Sequence, residues 1–564
     1  MVGSRRRQGG DTGGPAADGG TAEAAGGPLP AVPPGSADGA GPGDDRRAVT
    51  GLGRGTDRLT LADEARLQLR RHWVFAVLLV LAAALRAVVF VAYHPALIFP
   101  DSVRYIQYAH SFATGHWSVD GLRQSGYSVL IIPVMLLHDL WVIPLIQHMV
   151  GLATAVLVYA VLVHFRIRTW IAALATIPVL FDPLQLILEQ YVLADVWTVL
   201  LIVAALVILV WNTPDQRGEE SRGRRGLTPR RAAWCGLLLG LAVTFRDEEL
   251  IMIVPAVAYV AIAVRPARQL ARRMAVLAGC FLIPVAGYLG WFDASHGDLG
   301  FTTFSGAFLY GRVADFASCQ GLNLPSYEKP LCPTQPPGLR SADFYTWDPR
   351  SPQWTFRPPA GMSRDGVVRD FSLRILRHQP AAYAKAVGRD FLYGFSPVRG
   401  AGPEHYPRPY LQFHAYILPD PKADASLAAL GYQAPAARPD PVAFLADYGR
   451  WFYVPGPVFA AGLVLALTGL AVGTRRRTKP KATRDACLLF TLSAVLVLIP
   501  PAAFATFDWR YQLPQLSLIP VAAVLGAAML GHGRLTAART STGGTARRTR
   551  PASAETGLRA PGAR

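Results

Sequence analysis

Charge is scarce in this chain. Asp, Glu, Lys and Arg make up 17% of its 564 residues, against 51% hydrophobic. That balance points away from a soluble globule and toward an integral membrane protein. No Walker loop, dinucleotide fingerprint or zinc-binding helix motif occurs, which removes the activities those motifs carry. Cysteine is rare too, with five in all. Cys235, Cys280 and Cys487 lie in or beside apolar runs and read as small apolar residues. Cys319 and Cys332 stand alone in a long outer stretch. Two sulfurs without nearby ligands make a poor metal site. In an oxidising compartment they read as a disulfide, whose short loop adds roughly 3 kcal/mol on the chain-entropy account. No signal-peptide pattern opens the chain, and the first apolar run, starting at Trp73, is expected to stay as an anchor.

Membrane-length apolar runs, which take about 20 residues, are what the chain has in quantity. Ten spans are expected. They are Trp73–Tyr93, Val142–Phe165, Trp170 to Leu188, Val196 to Trp211, two within Ala232–Val264 that meet at the FRDEE turn (Phe245–Glu249), Met274–Phe292, Trp451–Val472, Cys487 to Phe504, and Leu513–Leu530. The run Tyr127–Leu137 is too short to cross and reads as interfacial or re-entrant. On this count the arginines at 70–71, 166–168, 217–231, 265–273 and 475–477 all fall on one side, the cytoplasmic one. Orientation then explains the net charge of +18 better than nucleic acid does.

The fold class is therefore an all-α polytopic membrane protein of about ten transmembrane helices, with a mixed extracytoplasmic segment between spans seven and eight. Residues 1–68, rich in Gly, Ala, Pro and Asp, read as a disordered cytoplasmic tail. Residues 69–292 hold a transmembrane catalytic core with an outer loop at 95–141. Residues 293–450 form the outer segment, rich in Pro and aromatics, with helix expected over Val367–Phe395 broken at Pro380. Residues 451–531 are the C-terminal spans. Residues 532–564 are a disordered, basic cytoplasmic tail, for which anionic lipid headgroups are a further partner.

This topology gathers ionisable residues on the outer face: Asp101, the Glu189–Asp195 turn, Arg246–Glu249, and FDWRYQLP at Phe507–Pro514. Charge near a membrane is costly, so such clustering marks a site, against the alternative of ordinary wetted helix ends. Asp101 lies in FPDSVRYIQYAHSFATGHW, just past the first span. It reads as the N-cap of a short amphipathic helix, as a base at the membrane boundary, or as both. Tyr105, Tyr108 and Phe112 recur at helical spacing as a stripe for the headgroup layer. Arg86, inside the first span, is expected to snorkel outward. His138, His148 and His164 lack ligand spacing and read as structural.

In this order the pieces resemble the membrane-embedded glycosyltransferases of the C-type fold, above all bacterial enzymes of the dolichyl-phosphate-mannose mannosyltransferase and aminoarabinose-transferase type. The likeness rests on Asp101, Tyr105, Gly115 and Trp117, on QSGYSVLIIP leading into an apolar surface helix, on LEQYVLADVW, on GLAVTFRDEEL, and on WRYQLP before the last span. It covers about residues 70–530. The resemblance implies a polyprenyl-phosphate-linked sugar donor and transfer outside the cytoplasmic membrane to a cell-envelope glycan, lipid or protein. It also implies inversion at the sugar carbon. One departure is Ser102, where many relatives carry a second acid. It counts against a family-like metal site and an amino-sugar donor.

The chemistry needs a base for the acceptor hydroxyl and cations for the departing phosphate. Asp101 is the candidate base. Arg246 and Arg510 are the candidate phosphate ligands, since guanidinium donates in a fork to phosphate oxygens. Arg104, one turn from Asp101, either keeps that carboxylate ionised or binds phosphate. Tyr105, Glu248 and Tyr511 complete the substrate site, with Asp247 and Glu248 alternatively pairing with Arg246. Glu189 and Asp195 orient the acceptor or share a divalent ion, Mg or Mn, although a spacing of six does not stack them on one helical face. No cofactor is assigned beyond that divalent ion, and metal dependence stays open. The competing readings are a transporter or flippase of lipid-linked sugar and a non-catalytic envelope scaffold. The absence of a repeat of broken spans, and acids at the outer edge rather than mid-membrane, count against the transporter.

Overall fold

Apolar run length and proline placement set most helix boundaries. The computed structural model describes residues 61–137, 139–211, 227–399, 408–475 and 481–531. All of these belong to one unit that begins at Leu61. The expected basic loop around Arg217–Arg225, most of the N-terminal tail, the C-terminal tail and His138 lie outside the described residues.

The first half of the chain is built from α1 (Leu61–Ala92), α2 (Pro100–Ala113), α3 (Gly126–Met135), α4 (Val142–His164), three short helices α5 (Thr169–Leu174), α6 (Ile177–Phe181) and α7 (Pro183–Gln190), then α8 (Asp195–Val210), α9 (Pro229–Phe245), α10 (Ile253–Ala263) and α11 (Ala267–His296). A 3-10 turn, Asp247–Met252, joins α9 to α10. The outer segment holds α12 (Ser305–Ala314), α13 (Ala342–Trp347), α14 (Pro352–Thr355), α15 (Arg364–His378), α16 (Pro380–Tyr393), α17 (Pro421–Ala429) and α18 (Pro439–Trp451). The chain ends in α19 (Gly456–Arg475), α20 (Lys481–Leu496), α21 (Ile499–Phe504) and α22 (Gln515–Leu530). A two-stranded antiparallel ribbon pairs Tyr93–His94 with Ala436–Ala437, tying the end of α1 to the outer segment.

Among the described residues six helices are long and apolar enough to cross a membrane, or seven if the bent pair Thr169–Phe181 and Pro183–Gln190 is one span. Asp182 causes that bend: its side chain caps α7 by accepting the Leu184 N–H, with Pro183 at the first helical position. The remaining expected spans are shorter helices: α8 has 16 residues, α9 17 and α10 11. α3, with 10 residues, is too short to cross. The long helices turn apolar residues outward, among them Val80, Leu81, Leu282, Ile283, Val464 and Leu467. In water such a surface would drive aggregation, whereas lipid tails match it. α19 and α22 cross closely because Gly469 and Gly526 carry no side chain; a Cβ on either would strike the opposing backbone.

The outer segment has its own small core around Tyr310, Val313, Leu331, Tyr345, Phe371 and Ile375. The disulfide expected between Cys319 and Cys332 is present at its edge. Helix does run through the Val367–Phe395 stretch and breaks at Pro380, between α15 and α16.

Candidate active site

α2 starts with Pro100 at its first position, where a missing N–H costs nothing. Phe99 is the N-cap residue, and its N–H is satisfied by Ser102 Oγ at 2.9 Å. Asp101 is therefore not the cap, contrary to that part of the sequence reading: Ser102 answers the backbone. The Asp101 carboxylate instead pairs with Arg123 through Oδ1 and with Arg510 through Oδ2, the latter at 2.9 Å. Tyr105, Tyr108 and Phe112 do not form a headgroup stripe either. All three are buried in protein: Tyr105 meets Tyr127 of α3 edge-on at 5.0 Å, Tyr108 donates to Asp120, and Phe112 stacks on Trp117 at 4.9 Å.

The two arginines are fixed by rings. Arg123, in the loop between α2 and α3, lies 5.5 Å from the Phe308 ring centre and 5.4 Å from that of Trp347. Arg510 sits in the 3-10 turn Trp509–Gln512, capped by Asp508, whose Oδ1 accepts the Arg510 backbone N–H at 3.1 Å. Its guanidinium lies 5.1 Å from the Phe99 ring centre and 5.6 Å from that of Tyr511. Tyr511 also faces Arg246 at 5.2 Å. Arg246 closes the far end, paired with Asp195 and, at 3.2 Å, with Glu248. Asp247 accepts from Gln124 at 2.8 Å instead of pairing with Arg246. Asp101, Arg510, Tyr511, Arg246, Asp195 and Glu248 thus form one continuous chain of contacts from distant parts of the sequence.

A cavity of about 580 Å³ opens over this chain, lined by Asp101, Arg104, Arg123, Asp508, Arg510 and Tyr511 and roofed by α12, α13 and α17. Such a volume is usual for a ligand site. A second space of about 20 Å³, lined by Asp195, Arg246, Glu248, Glu249, Arg510 and Tyr511, lies behind it. Burial alone would push the Asp101 carboxyl up, but Arg123 and Arg510 outweigh it and hold it down at about 2. In the turn after α9, burial pushes Glu249 up to about 8, with Arg246 opposing, and Glu249 Oε2 has no hydrogen-bond partner among the described residues. Glu248 moves the other way: burial would raise it, and Arg246 wins.

Two expected site residues have partners other than those expected. Glu189 is fully buried on α7, accepting from Arg86 at 2.8 Å and Gln185 at 2.9 Å, with His148 Nδ1 at 2.7 Å from its other oxygen. Arg86 therefore does not snorkel. It also donates to the carbonyls of Leu180 (2.8 Å) and Val179 (3.1 Å), so both terminal nitrogens of its guanidinium find partners inside the protein rather than at the interface. Gly151 makes the room, since a Cβ there would collide with the Glu189 carboxylate. Arg104 lines the cavity but pairs with Asp120 at 3.2 Å and Gln107 at 2.9 Å, leaving Asp101 to other arginines. Glu189 and Asp195 lie in different ion networks, the first with Arg86 and His148, the second with Arg246. Among the described residues no three His, Cys, Asp or Glu side chains are placed to hold a metal.

Sequence reasoning passed over Arg123. Its signal was available: a cation immediately before QSGY, in the outer loop that Asp101 opens. It also missed the buried pair of Arg312 with Asp390, joined at 2.5 Å, which has no motif around it.

Residues 136–299 match the family model of the dolichyl-phosphate-mannose-protein mannosyltransferases. The mannosyltransferase-type segment runs from α4 to α11 and includes Glu189, Asp195 and Arg246, while Asp101 and Arg510 lie outside it. Of the motif stretches behind the resemblance, LEQYVLADVW and GLAVTFRDEEL fall within this match, which supports a glycosyltransferase in general without specifying sugar or acceptor. No curated protein matches. Similar solved structures include the S. cerevisiae protein O-mannosyltransferase Pmt1–Pmt2 complex bound to the sugar donor, at 17% identity over 46% of this chain and 39% of that one, TM-score 0.31. They also include the Archaeoglobus fulgidus oligosaccharyltransferase in the apo form (13% identity, 80% and 50% covered, TM-score 0.36) and apo ArnT from Cupriavidus metallidurans (14% identity, 81% and 77% covered, TM-score 0.30). The chain spans less than two thirds of the first two of these.

Proposed function

We propose that this protein is a glycosyltransferase that moves a sugar from a polyprenyl-phosphate carrier to an acceptor outside the cytoplasmic membrane, with inversion. The observation that carries the reading is Asp101, held between two arginines in the wall of a cavity of about 580 Å³. The mannosyltransferase-type match supports the donor class. A ten-span topology with both termini in the cytoplasm and the cavity outside is supported by the one-sided distribution of arginines.

In this reading the acceptor hydroxyl oxygen attacks the anomeric carbon from the side opposite the phosphate. The new carbon–oxygen bond forms as the bond to the phosphate oxygen breaks. The electron pair leaves with the lipid phosphate, and the hydroxyl proton passes to Asp101. Arg510, with Arg246 behind Tyr511, stabilises the charge gathering on the phosphate. At rest Asp101 is a weak base, because two cations hold its proton affinity low. A donor phosphate that takes over the Arg510 fork removes one of those cations and raises the basicity of Asp101 where the proton must go. Hexosyl and pentosyl donors fit this chemistry equally.

The test is Asp101→Asn in purified protein with a polyprenyl-phosphate hexose. Transfer is expected to fall by about 100-fold or more while donor affinity stays near the parent value. Parent-level turnover in this variant would remove Asp101 as the base.

A further inference from the structure

Most of the charge around the cavity is matched. Asp101 answers Arg123 and Arg510, Asp508 lies 3.4 Å from Arg510, Asp120 answers Arg104, and Asp315 and Asp390 answer Arg312. Three lining groups have no ion-pair partner among the described residues: Asp343 on α13, and Asp420 and Lys422 at the start of α17. All three come from the outer segment. The Asp343 carboxylate accepts no hydrogen bond among the described residues, and burial, followed by the charge of Asp348, makes it harder to ionise. Asp420 accepts the Ala423 N–H on Oδ1 at 3.0 Å, and its Oδ2 accepts no hydrogen bond among the described residues. The Lys422 ammonium is exposed.

These groups stand on two separate walls. α17 packs on α2, the helix of Asp101, and α13 packs on α12, the helix of Phe308 and Arg312. Thr346, Trp347 and Ser426 line the same compartment. Each open carboxylate asks for several donors at close range, and the ammonium asks for acceptors. Two carboxylates against one ammonium repel a polyanionic acceptor. An indole in the wall offers a flat apolar face beside them. Neighbouring hydroxyls on a sugar ring satisfy all of these demands at once.

We infer that this outer compartment is the acceptor subsite and that it takes a neutral, hydroxyl-rich glycan, with Asp343 and Asp420 accepting from sugar hydroxyls, Lys422 donating to them, and Trp347 covering a ring face. The inference rests on the glycosyltransferase reading of the same cavity. Trp347 also touches Arg123, so the seating of the acceptor is joined to the residue that holds Asp101.

The test uses the full chain in lipid nanodiscs with a polyprenyl-phosphate hexose as donor. Three acceptor probes are offered: the octyl glycoside of a neutral disaccharide, an uncharged Ser/Thr-containing peptide, and an anionic phosphoglycolipid. The neutral glycoside is expected to accept sugar. Asp343→Asn and Lys422→Gln, both at positions with solvent access, are each expected to raise its KM by about tenfold, with kcat within about twofold and donor affinity unchanged. Donor binding by the parent with transfer only to the peptide or to the anionic lipid overturns the inference. So does a glycoside KM that neither substitution moves. A parent that fails to bind the donor overturns the glycosyltransferase reading, and this subsite with it.

Discussion

At the scale of the residue, Arg510 makes the sharpest demand. It touches Asp101, Asp508, Phe99 and Tyr511, and the fork of its guanidinium is what lets it serve several of them. Lysine keeps the charge but not the fork. Arg510→Lys is expected to slow transfer by about 10- to 100-fold and Arg510→Ala by more, with thermal midpoints close to the parent's. Unchanged transfer by purified Arg510→Ala would hand the phosphate to Arg246. Glu249 makes a second prediction through pH. Its folded carboxyl titrates near 8, above the ordinary value, so the folded state holds a proton that the unfolded state has already lost. Stability from this group is complete below the ordinary carboxyl range and declines as pH climbs toward 8. Glu249→Gln, which cannot ionise, should raise the melting temperature at pH 8 relative to the parent by more than it does at pH 5. An equal effect at both values would mean that Glu249 is ionised in the folded protein.

At the scale of the element, α7 shows why part of the site was legible in the sequence and part was not. Asp101 and Arg510 were readable because each lies in a short polar motif beside an apolar run. The structure then places them 2.9 Å apart. Glu189 lies in an equally polar motif, yet its partner is Arg86 on α1, and nothing local to either residue announces that pairing. Arg123 was overlooked because its place before QSGY does not show what it pairs with. Its role comes from Phe308 and Trp347, contributed by a segment far along the chain. Helix positions followed from apolar runs, but whether α8, α9 and α10 suffice as crossings depends on tilt and on partners that run length does not encode. The α7 node carries a stability prediction. Glu189→Gln leaves Arg86 buried without its counter-charge and should cost about 3–5 kcal/mol. The double change Arg86→Met with Glu189→Met should recover much of that loss. A melting series in detergent reads both, and an unshifted single variant would show that the pair is not structural.

At the scale of the whole molecule, the sidedness of the fold is open to direct measurement. Met362, exposed in the outer segment, and Thr228, exposed at the start of α9, are predicted to lie on opposite faces of the membrane. With Cys235, Cys280 and Cys487 replaced and the disulfide left intact, an impermeant maleimide applied to intact cells should label Met362→Cys and spare Thr228→Cys. The reverse pattern would invert the topology and put the cavity in the cytoplasm. Whatever its side, the outer segment is fastened to the stretch that carries Arg510. Asp390 accepts from the Phe507 N–H at 3.2 Å, Tyr383 donates to the Ala503 carbonyl at 3.1 Å, and Gln512 donates to the Gly394 carbonyl at 2.5 Å. The segment is therefore not a detachable module, even though it has a core of its own. Exchanging it wholesale with that of another protein would unseat Arg510 along with it. New acceptor preferences have a narrower route, through single changes on α13 and α17, neither of which supplies any of those three fastenings.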